Sequence, residues 1–238
     1  MNEFAEIWTY LSSEPLWWLT ATLGAYLIGD LAFRVSGRQA FVNPVLIAVI
    51  ILAILLFVTD TSYPTYFEGA KFIHFMLGPA TVCLAVPLYF NLTQVRRTLL
   101  PIFAALILGS GAAILSAILL SMAFGITSEE IILSIVPKSA TAPVAMGISE
   151  SIGGSPTLTA VIVILTGITG AIIVTPLMNL LRIKDYRARG FAVGLSSHGI
   201  GTARAFQVDE TAGAFAGIGM GLNALATAIV VPLILMLF

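Results

Sequence analysis

Six apolar runs of the sequence are long enough, or nearly long enough, to cross a lipid bilayer as helices. They occupy residues 16–33, 39–59, 72–95, 98–128, 151–181 and 211–238. A crossing needs about 20 helical residues. Only 10% of the 238 residues are charged, whereas a soluble domain carries about a quarter. The pattern predicts an all-α integral membrane protein with about six transmembrane helices. The one charge within these runs, Asp30, is expected to pair with Arg34 one helical turn later.

Two segments between these runs, 131–154 and 190–210, are too polar and too interrupted to be ordinary spans. The first places a cation and two hydroxyls between Pro137 and Pro143. Each proline removes a backbone donor and disfavours helix just before itself. The second segment is rich in serine and glycine. Such backbone is tolerated at membrane depth only where it is buried in protein or lines a wet cavity.

The positions of arginine and lysine predict the topology. Cations cluster at 34–38, 96–97 and 182–189, and cytoplasmic loops are enriched in these residues. This places the N-terminus on the outer side of the membrane. If 131–154 crossed, the next span would carry the cluster at 182–189 to the outside, so 131–154 is predicted to be a re-entrant hairpin that enters from outside. The segment 190–210 is either a second hairpin, entering from the cytoplasm, or a broken full span.

A short internal repeat supports this arrangement. GAIIVTPL at 170–177 aligns with ATAIVVPL at 226–233. Each copy would follow a hairpin, and the two units would have opposite orientations, as in secondary transporters built from inverted repeats. We therefore expect one integral membrane domain, with four spans in 1–128 and inverted hairpin-plus-span units at 129–182 and 187–238.

The two polar segments also carry the candidate site. Helix ends and hydroxyls at a hairpin tip bind small anions, glycines let backbone approach a ligand closely, and cations bind carboxylates. The alternatives are that the two cations extend to an interface, that the histidine is a core residue rather than a proton carrier, and that the prolines only kink packed helices. The candidate residues are Lys138, Ser139, Thr141, Pro143, Ser197, His198, Gly199, Gly201, Thr202 and Arg204.

Other chemistries lack support in the sequence. The adjacent residues Ser196, Ser197 and His198 cannot form a nucleophile and base pair, and no acid is positioned to orient the ring. The two histidines, His74 and His198, lie far apart, so no metal is expected, and no cofactor motif is present. A net charge of −1 gives no reason to expect a nucleic acid. Glycines at 213, 217 and 221 are expected to form a close-packing face on the last span.

Several short strings along the sequence resemble the LrgB/CidB family of bacterial membrane proteins. They are NP at 43–44, PKSATAPVAM at 137–146, SIGG at 151–154, GSPTLTAVIVILTGITGA at 154–171, ARGFAVG at 188–194 and SHGIGTARA at 197–205. That family is described as holin- and antiholin-like modulators of murein hydrolase activity and autolysis, which work beside a small LrgA/CidA-type membrane protein. A plant plastid member is a glycolate/glycerate translocator, and some bacterial relatives are implicated in pyruvate uptake.

Two functions from different classes follow. The first is a secondary transporter of small monocarboxylates or 2-hydroxycarboxylates such as glycolate, glycerate, lactate or pyruvate, coupled to a proton or Na⁺. The alternative is a holin- or antiholin-like regulator of autolysis that acts with an LrgA/CidA-type partner. An enzyme is not expected. The expected partners are the small carboxylate, membrane lipid and either a second copy of the chain or the partner protein.

Overall fold

The computed structural model describes residues 14–83, 89–90 and 92–235. Within them the chain forms ten helices and no strand. The helices are α1 (Pro15–Val35), α2 (Pro44–Val58), α3 (Tyr63–Cys83), α4 (Leu92–Arg97), α5 (Leu99–Ala123), α6 (Glu129–Ile135), α7 (Ala142–Ile152), α8 (Pro156–Leu180), α9 (Tyr186–Val208) and α10 (Glu210–Leu235). The all-helical class predicted from the sequence is confirmed.

Four helices are long and apolar enough to cross a membrane: α1, α5, α8 and α10. The protein is therefore a multi-pass membrane protein, and four of the six expected spans form helices of sufficient length and apolarity to cross. The first residues of the run at 39–59 form a turn rather than helix, so α2 has only 15 residues. It is about 22 Å long, which is shorter than the hydrocarbon layer is thick. The run at 72–95 falls partly on residues 84–88 and 91, which lie outside the described residues, as do residues 1–13.

The described helices form two compact units, one ending at Cys83 and the other beginning at Leu84. In the first unit, Asn43 caps α2 by accepting hydrogen bonds from the backbone N–H groups of Val45 and Leu46 at 2.9 and 3.1 Å. Proline follows at the first helical position, where its missing N–H has no intrahelical partner to lose. The expected pair of Asp30 and Arg34 is present at 2.7 Å.

The second unit contains α4 to α10, and its first polar segment forms α6, a turn at 136–141, and α7. Hydrogen bonds hold both short helices against the start of α8. The Thr159 hydroxyl oxygen is within hydrogen-bond distance of both helices, 2.7 Å from Ser149 Oγ and 3.0 Å from the Ser134 carbonyl oxygen. Ser134 Oγ accepts from the backbone N–H of Ser155 at 2.7 Å. The end of α6 and the end of α7 therefore lie side by side, with the turn beyond them.

The second polar segment lies in α9, which is broken at Ser197 and His198. His198 has φ 42° and ψ −134°, far from helical values. The part after the break lies beside the part before it, because a Cβ placed on Gly201 would be 2.8 Å from the carbonyl oxygen of Val193. Ala205 also packs in one cluster with Val193. The two halves of α9 therefore run in opposite directions.

Glycines bring α9 and α10 into backbone contact. Gly190 and Gly194 of α9 lie against the backbone of Ala212 and Ala216 in α10. A Cβ on Gly219 would lie 2.5 Å from the carbonyl oxygen of Phe191. The expected packing face at 213, 217 and 221 is therefore only partly correct: Gly213 packs on Phe206, whereas Gly221 is exposed with no atom near its Cβ position.

The close contact between Gly219 and the carbonyl oxygen of Phe191 makes this position sensitive to one added methyl group. Gly219→Ala should force α9 and α10 apart and reduce the free energy of unfolding by about 1–3 kcal/mol, the usual cost of overpacking. Gly221→Ala on the same helix is the matched control and should be neutral or stabilising, because alanine favours helix by up to about 1 kcal/mol over glycine. Thermal unfolding of the detergent-solubilised protein measures both. Equal unfolding temperatures for the two variants would contradict the close contact.

Candidate functional site

Asn223 of α10 joins the turn between α6 and α7 to the break in α9. Its side-chain amide is fully buried. The Nδ2 group donates to the carbonyl oxygen and the hydroxyl of Ser139 at 3.1 and 3.2 Å, and to the carbonyl oxygen of Leu195 at 3.0 Å. The Oδ1 atom accepts from the Ser110 hydroxyl of α5 at 2.6 Å. One side chain therefore holds both interrupted segments and a long helix. We call the hydrogen-bonded group of Asn223, Ser110, Ser139 and Leu195 the Asn223 node.

Physical chemistry explains why an amide occupies this place. Where a helix is interrupted, backbone carbonyls lose their intrahelical donors, and a buried carbonyl without a donor is costly. The amide of asparagine offers two donors and an acceptor in one short side chain. It therefore satisfies the carbonyls of Ser139 and Leu195 without bringing a charge into the interior.

His198 lies at the break and contacts α8. Its Nε2 atom is 2.8 Å from the carbonyl oxygen of Val163. A carbonyl can only accept, so this bond needs the proton on Nε2. The ring lies close to Gly167, where a Cβ would be 2.5 Å from Cε1. A non-glycine residue with positive φ is strained, and this hydrogen bond and packing hold His198 in that conformation.

Two hydroxyl groups near the break, those of Ser197 and Thr202, are also buried, whereas Ser196 is exposed. The Thr202 hydroxyl donates to the carbonyl oxygen of His198 at 2.8 Å. The hydroxyls of Ser196 and Ser197 are 3.1 Å apart. Gly201 is buried between Ser197 and Val193, whereas Gly199 is exposed. Four predicted site residues therefore lie together in α9: Ser197, His198, Gly201 and Thr202.

The turn between α6 and α7 holds the other predicted residues. Ser139 is buried and belongs to the Asn223 node, and Lys138 beside it is half-buried. Thr141 precedes α7 and is half-buried, and Pro143 lies in the first turn of α7 with its ring exposed. Proline fits here because first-turn N–H groups have no intrahelical partner.

Arg204 lies away from the break. It is seven residues beyond Ser197, or about 10 Å along a helix axis. It lines a small cavity of about 30 Å³ together with Thr175, Tyr186 and Arg189, so it lies beside the cation cluster at the start of α9. Lys138 is not among the residues that line that cavity. Joint contact of Lys138 and Arg204 with one carboxylate remains a prediction.

The sequence reasoning missed Asn223 and Ser110. The available signal was an amide inside the apolar run at 211–238, since polar groups at membrane depth are costly and mark functional or structural contacts. The partners could not be found from the sequence, because Ser139 lies 84 residues away in the chain. Within the described residues, no three His, Cys, Asp or Glu side chains lie close enough together to hold a metal ion.

Comparisons with known proteins agree with one another. The model of the LrgB-like family matches residues 22–237. The holin-like protein CidB of Staphylococcus aureus (strain Mu50) is 35% identical over 198 residues, which make up 83% of this chain and 86% of that protein. The holin-like protein CidB of Staphylococcus epidermidis (strain RP62A) is 36% identical, covering 84% and 87%. The uncharacterized protein YxaC of Bacillus subtilis (strain 168) is 35% identical, covering 83% and 86%. No solved structure matches the chain significantly.

The Asn223 node should dominate the stability of the second unit. Asn223→Leu would leave the Ser110 hydroxyl and the carbonyls of Ser139 and Leu195 without this partner, at about 1–3 kcal/mol for each unsatisfied group. We expect a large fall in unfolding temperature, or loss of folded protein, measured in detergent. Gln39→Leu, at an exposed amide side chain of the first unit, is the control and should change little.

A second variant separates loss of the node from loss of packing. Ser110→Ala should cost less in the Asn223→Leu background than in the native chain, because it removes a hydroxyl that has already lost its acceptor. Strictly additive effects on the free energy of unfolding would contradict the coupling.

Proposed function

We propose that this chain, which belongs to the LrgB-like family, acts in the bacterial inner membrane as a holin-like regulator of murein hydrolase activity and autolysis. The observation that carries the proposal is the similarity to holin-like CidB proteins, which extends over more than four fifths of this chain and of the relatives. The relatives come from bacteria, and the four apolar helices are consistent with a function inside the membrane.

We further propose that it acts with a small membrane protein of the LrgA/CidA type. Such an assembly needs helix surfaces that face outward with apolar side chains. α5 supports this with Leu100, Ile107 and Leu108, each more than 70% exposed. In a membrane these side chains contact lipid or a neighbouring helix, and helix association there depends on packing rather than on the hydrophobic effect.

A genetic test follows from this proposal. In a host whose own protein of this family has been deleted, expression of this chain should change the rate of detergent-induced lysis and the murein hydrolase activity outside the cells. The change should depend on co-expression of the small partner, because the two proteins would act as one assembly. Gly219→Ala, which should destabilise the second unit, should reduce the change, whereas its matched control Gly221→Ala should behave as the native chain. An unchanged lysis rate with and without this chain, in the presence of the partner, would contradict the proposal.

The geometry favours a second candidate function, the transport of small monocarboxylates or 2-hydroxycarboxylates. The specific observation is that two interrupted helical segments meet at Asn223. In secondary transporters, discontinuous helices meet near the bilayer midplane and their ends bind the substrate. Under this proposal, α6 with α7 and the two halves of α9 are re-entrant hairpins of opposite orientation. Pro176 of α8 and Pro232 of α10, which match in the internal repeat, each lie inside a long helix.

Counterflow in proteoliposomes tests the transport proposal. We expect saturable exchange with at least one of glycolate, glycerate, lactate and pyruvate. Lys138→Gln and Arg204→Gln should each raise the half-saturation concentration about tenfold or more, since each removes a charge-assisted hydrogen bond. Arg38→Gln, at an exposed arginine of the first unit, is the control. If Arg204 has a structural role at the end of α9, its replacement lowers the yield of folded protein and leaves the half-saturation concentration unchanged.

Absence of exchange with every acid would remove the transport proposal and leave the holin-like proposal intact. Exchange that persists unaltered in both variants would remove Lys138 and Arg204 from the site. The serine and threonine hydroxyls and the backbone groups near Asn223 would then be the remaining anion ligands.

A further inference from the structure

A groove of about 540 Å³ lies between α5 and the first half of α9, and it adjoins the Asn223 node at Leu195. Most of its lining residues are apolar and come from three helices: Ile102, Ala105 and Gly109 of α5, Phe191 and Leu195 of α9, and Phe215 of α10. The volume is typical of a small-ligand pocket. The groove is accessible from outside the protein, since Pro101 and Ala105 in its lining are exposed.

The groove has the length of one membrane leaflet. Along α5 its lining extends from Thr98 to Ala113, or about 22 Å at 1.5 Å per residue. A bilayer is about 40–45 Å thick with its headgroup layers, so one leaflet is about 20–22 Å. The end at Thr98 lies where α5 begins, and the other end lies near the middle of that helix.

Cations lie at one end of the groove only. Arg96 and Arg97 are exposed and directly precede Thr98. On the other wall, Arg187 lines the groove within residues 182–189, which carry four cations and the single carboxylate of Asp185. The hydrogen bond from the Arg187 side chain lowers the pKa of Asp185. The carboxylate is therefore ionised, and its negative charge offsets one of the four positive charges in this segment. The deep end, at Ala113 and Ser196, is uncharged.

These properties together point to a lipid rather than a helix. A helix 22 Å long and about 10 Å wide occupies about 1,700 Å³, more than the roughly 1,130 Å³ of empty space in the groove counted out to its open side. A small soluble acid would not need an apolar groove as deep as a leaflet. An acyl chain fits the apolar part, and the basic end attracts an anionic headgroup. We propose that this groove binds one anionic phospholipid, with its headgroup at Arg96, Arg97 and Arg187 and an acyl chain between α5 and α9.

The bound lipid would also stabilise the broken helix. Leu195 contacts the groove with its side chain, which packs on Gly109. The carbonyl of the same residue accepts a hydrogen bond from Asn223. An acyl chain in the groove would therefore support the last turn of α9 before the break.

The experiment uses the full chain in detergent and compares phosphatidylglycerol with phosphatidylcholine of the same acyl chains. Native mass spectrometry should show one retained phosphatidylglycerol per chain, and this lipid should raise the unfolding temperature more than phosphatidylcholine does. The double variant Arg96→Gln with Arg97→Gln should weaken phosphatidylglycerol binding roughly thirtyfold, since each cation near the membrane surface attracts an anionic lipid independently. The double variant Arg34→Gln with Arg38→Gln, in the first unit, is the charge-matched control.

A second variant tests the apolar part of the groove. Ala105→Trp would fill it, whereas Ala104→Trp, at the neighbouring exposed residue that does not line the groove, is the size-matched control. Loss of the bound lipid in Ala105→Trp but not in Ala104→Trp supports the proposal. Equal retention of the two lipids, or retention unaffected by the Arg96 and Arg97 changes, would overturn it. The lipid proposal would likewise be overturned, in favour of a protein occupant, if Ala105→Trp blocked capture of a co-expressed LrgA/CidA-type protein but left lipid retention unchanged.

Discussion

The second unit depends on satisfying the backbone where its helices are interrupted. In a membrane interior no bulk water is available to bond an unpaired carbonyl, so each unsatisfied group is costly. Asn223 donates to the carbonyls of Ser139 and Leu195, one from each interrupted segment, and accepts from Ser110. This side chain makes it possible for two broken elements to be buried against one another. The rest of the unit is arranged so that α10 can bring the amide to that point.

Close packing by glycine brings α10 to this point. Gly190 and Gly194 allow α9 to lie directly on the backbone of α10, and Gly219 does the same from the other helix. Side chains at these places would separate the helices by the thickness of a methyl group or more. The hydrogen bond from Asn223 to Leu195, at 3.0 Å, would then be broken. Packing and hydrogen bonding in this unit are therefore coupled.

Much of this architecture follows from local sequence signals. Apolar length predicted the long helices, Pro137 and Pro143 marked the turn before α7, and the family strings led to the LrgB-like family, which the comparisons confirm. The break in α9 was indicated by polarity and glycine content, but its exact place, at Ser197 and His198, depends on contacts with α8. Asn223 and the groove between α5 and α9 were missed because both arise from residues far apart in the chain.

The distribution of charge also constrains the function. The buried contacts near the two interruptions are neutral: an amide, hydroxyls, backbone carbonyls and an imidazole bonded to a carbonyl. Neutral hydrogen-bonded groups are far less costly to bury than ions. The arginines of the proposed headgroup site lie at the start of α9 and before α5. Lys138 is the only cation in 131–154 and lies next to the Asn223 node. Any function that requires the turn between α6 and α7 to attract an anion must therefore rely on Lys138 and the local backbone dipoles, whereas a purely assembling protein would retain its fold without that charge.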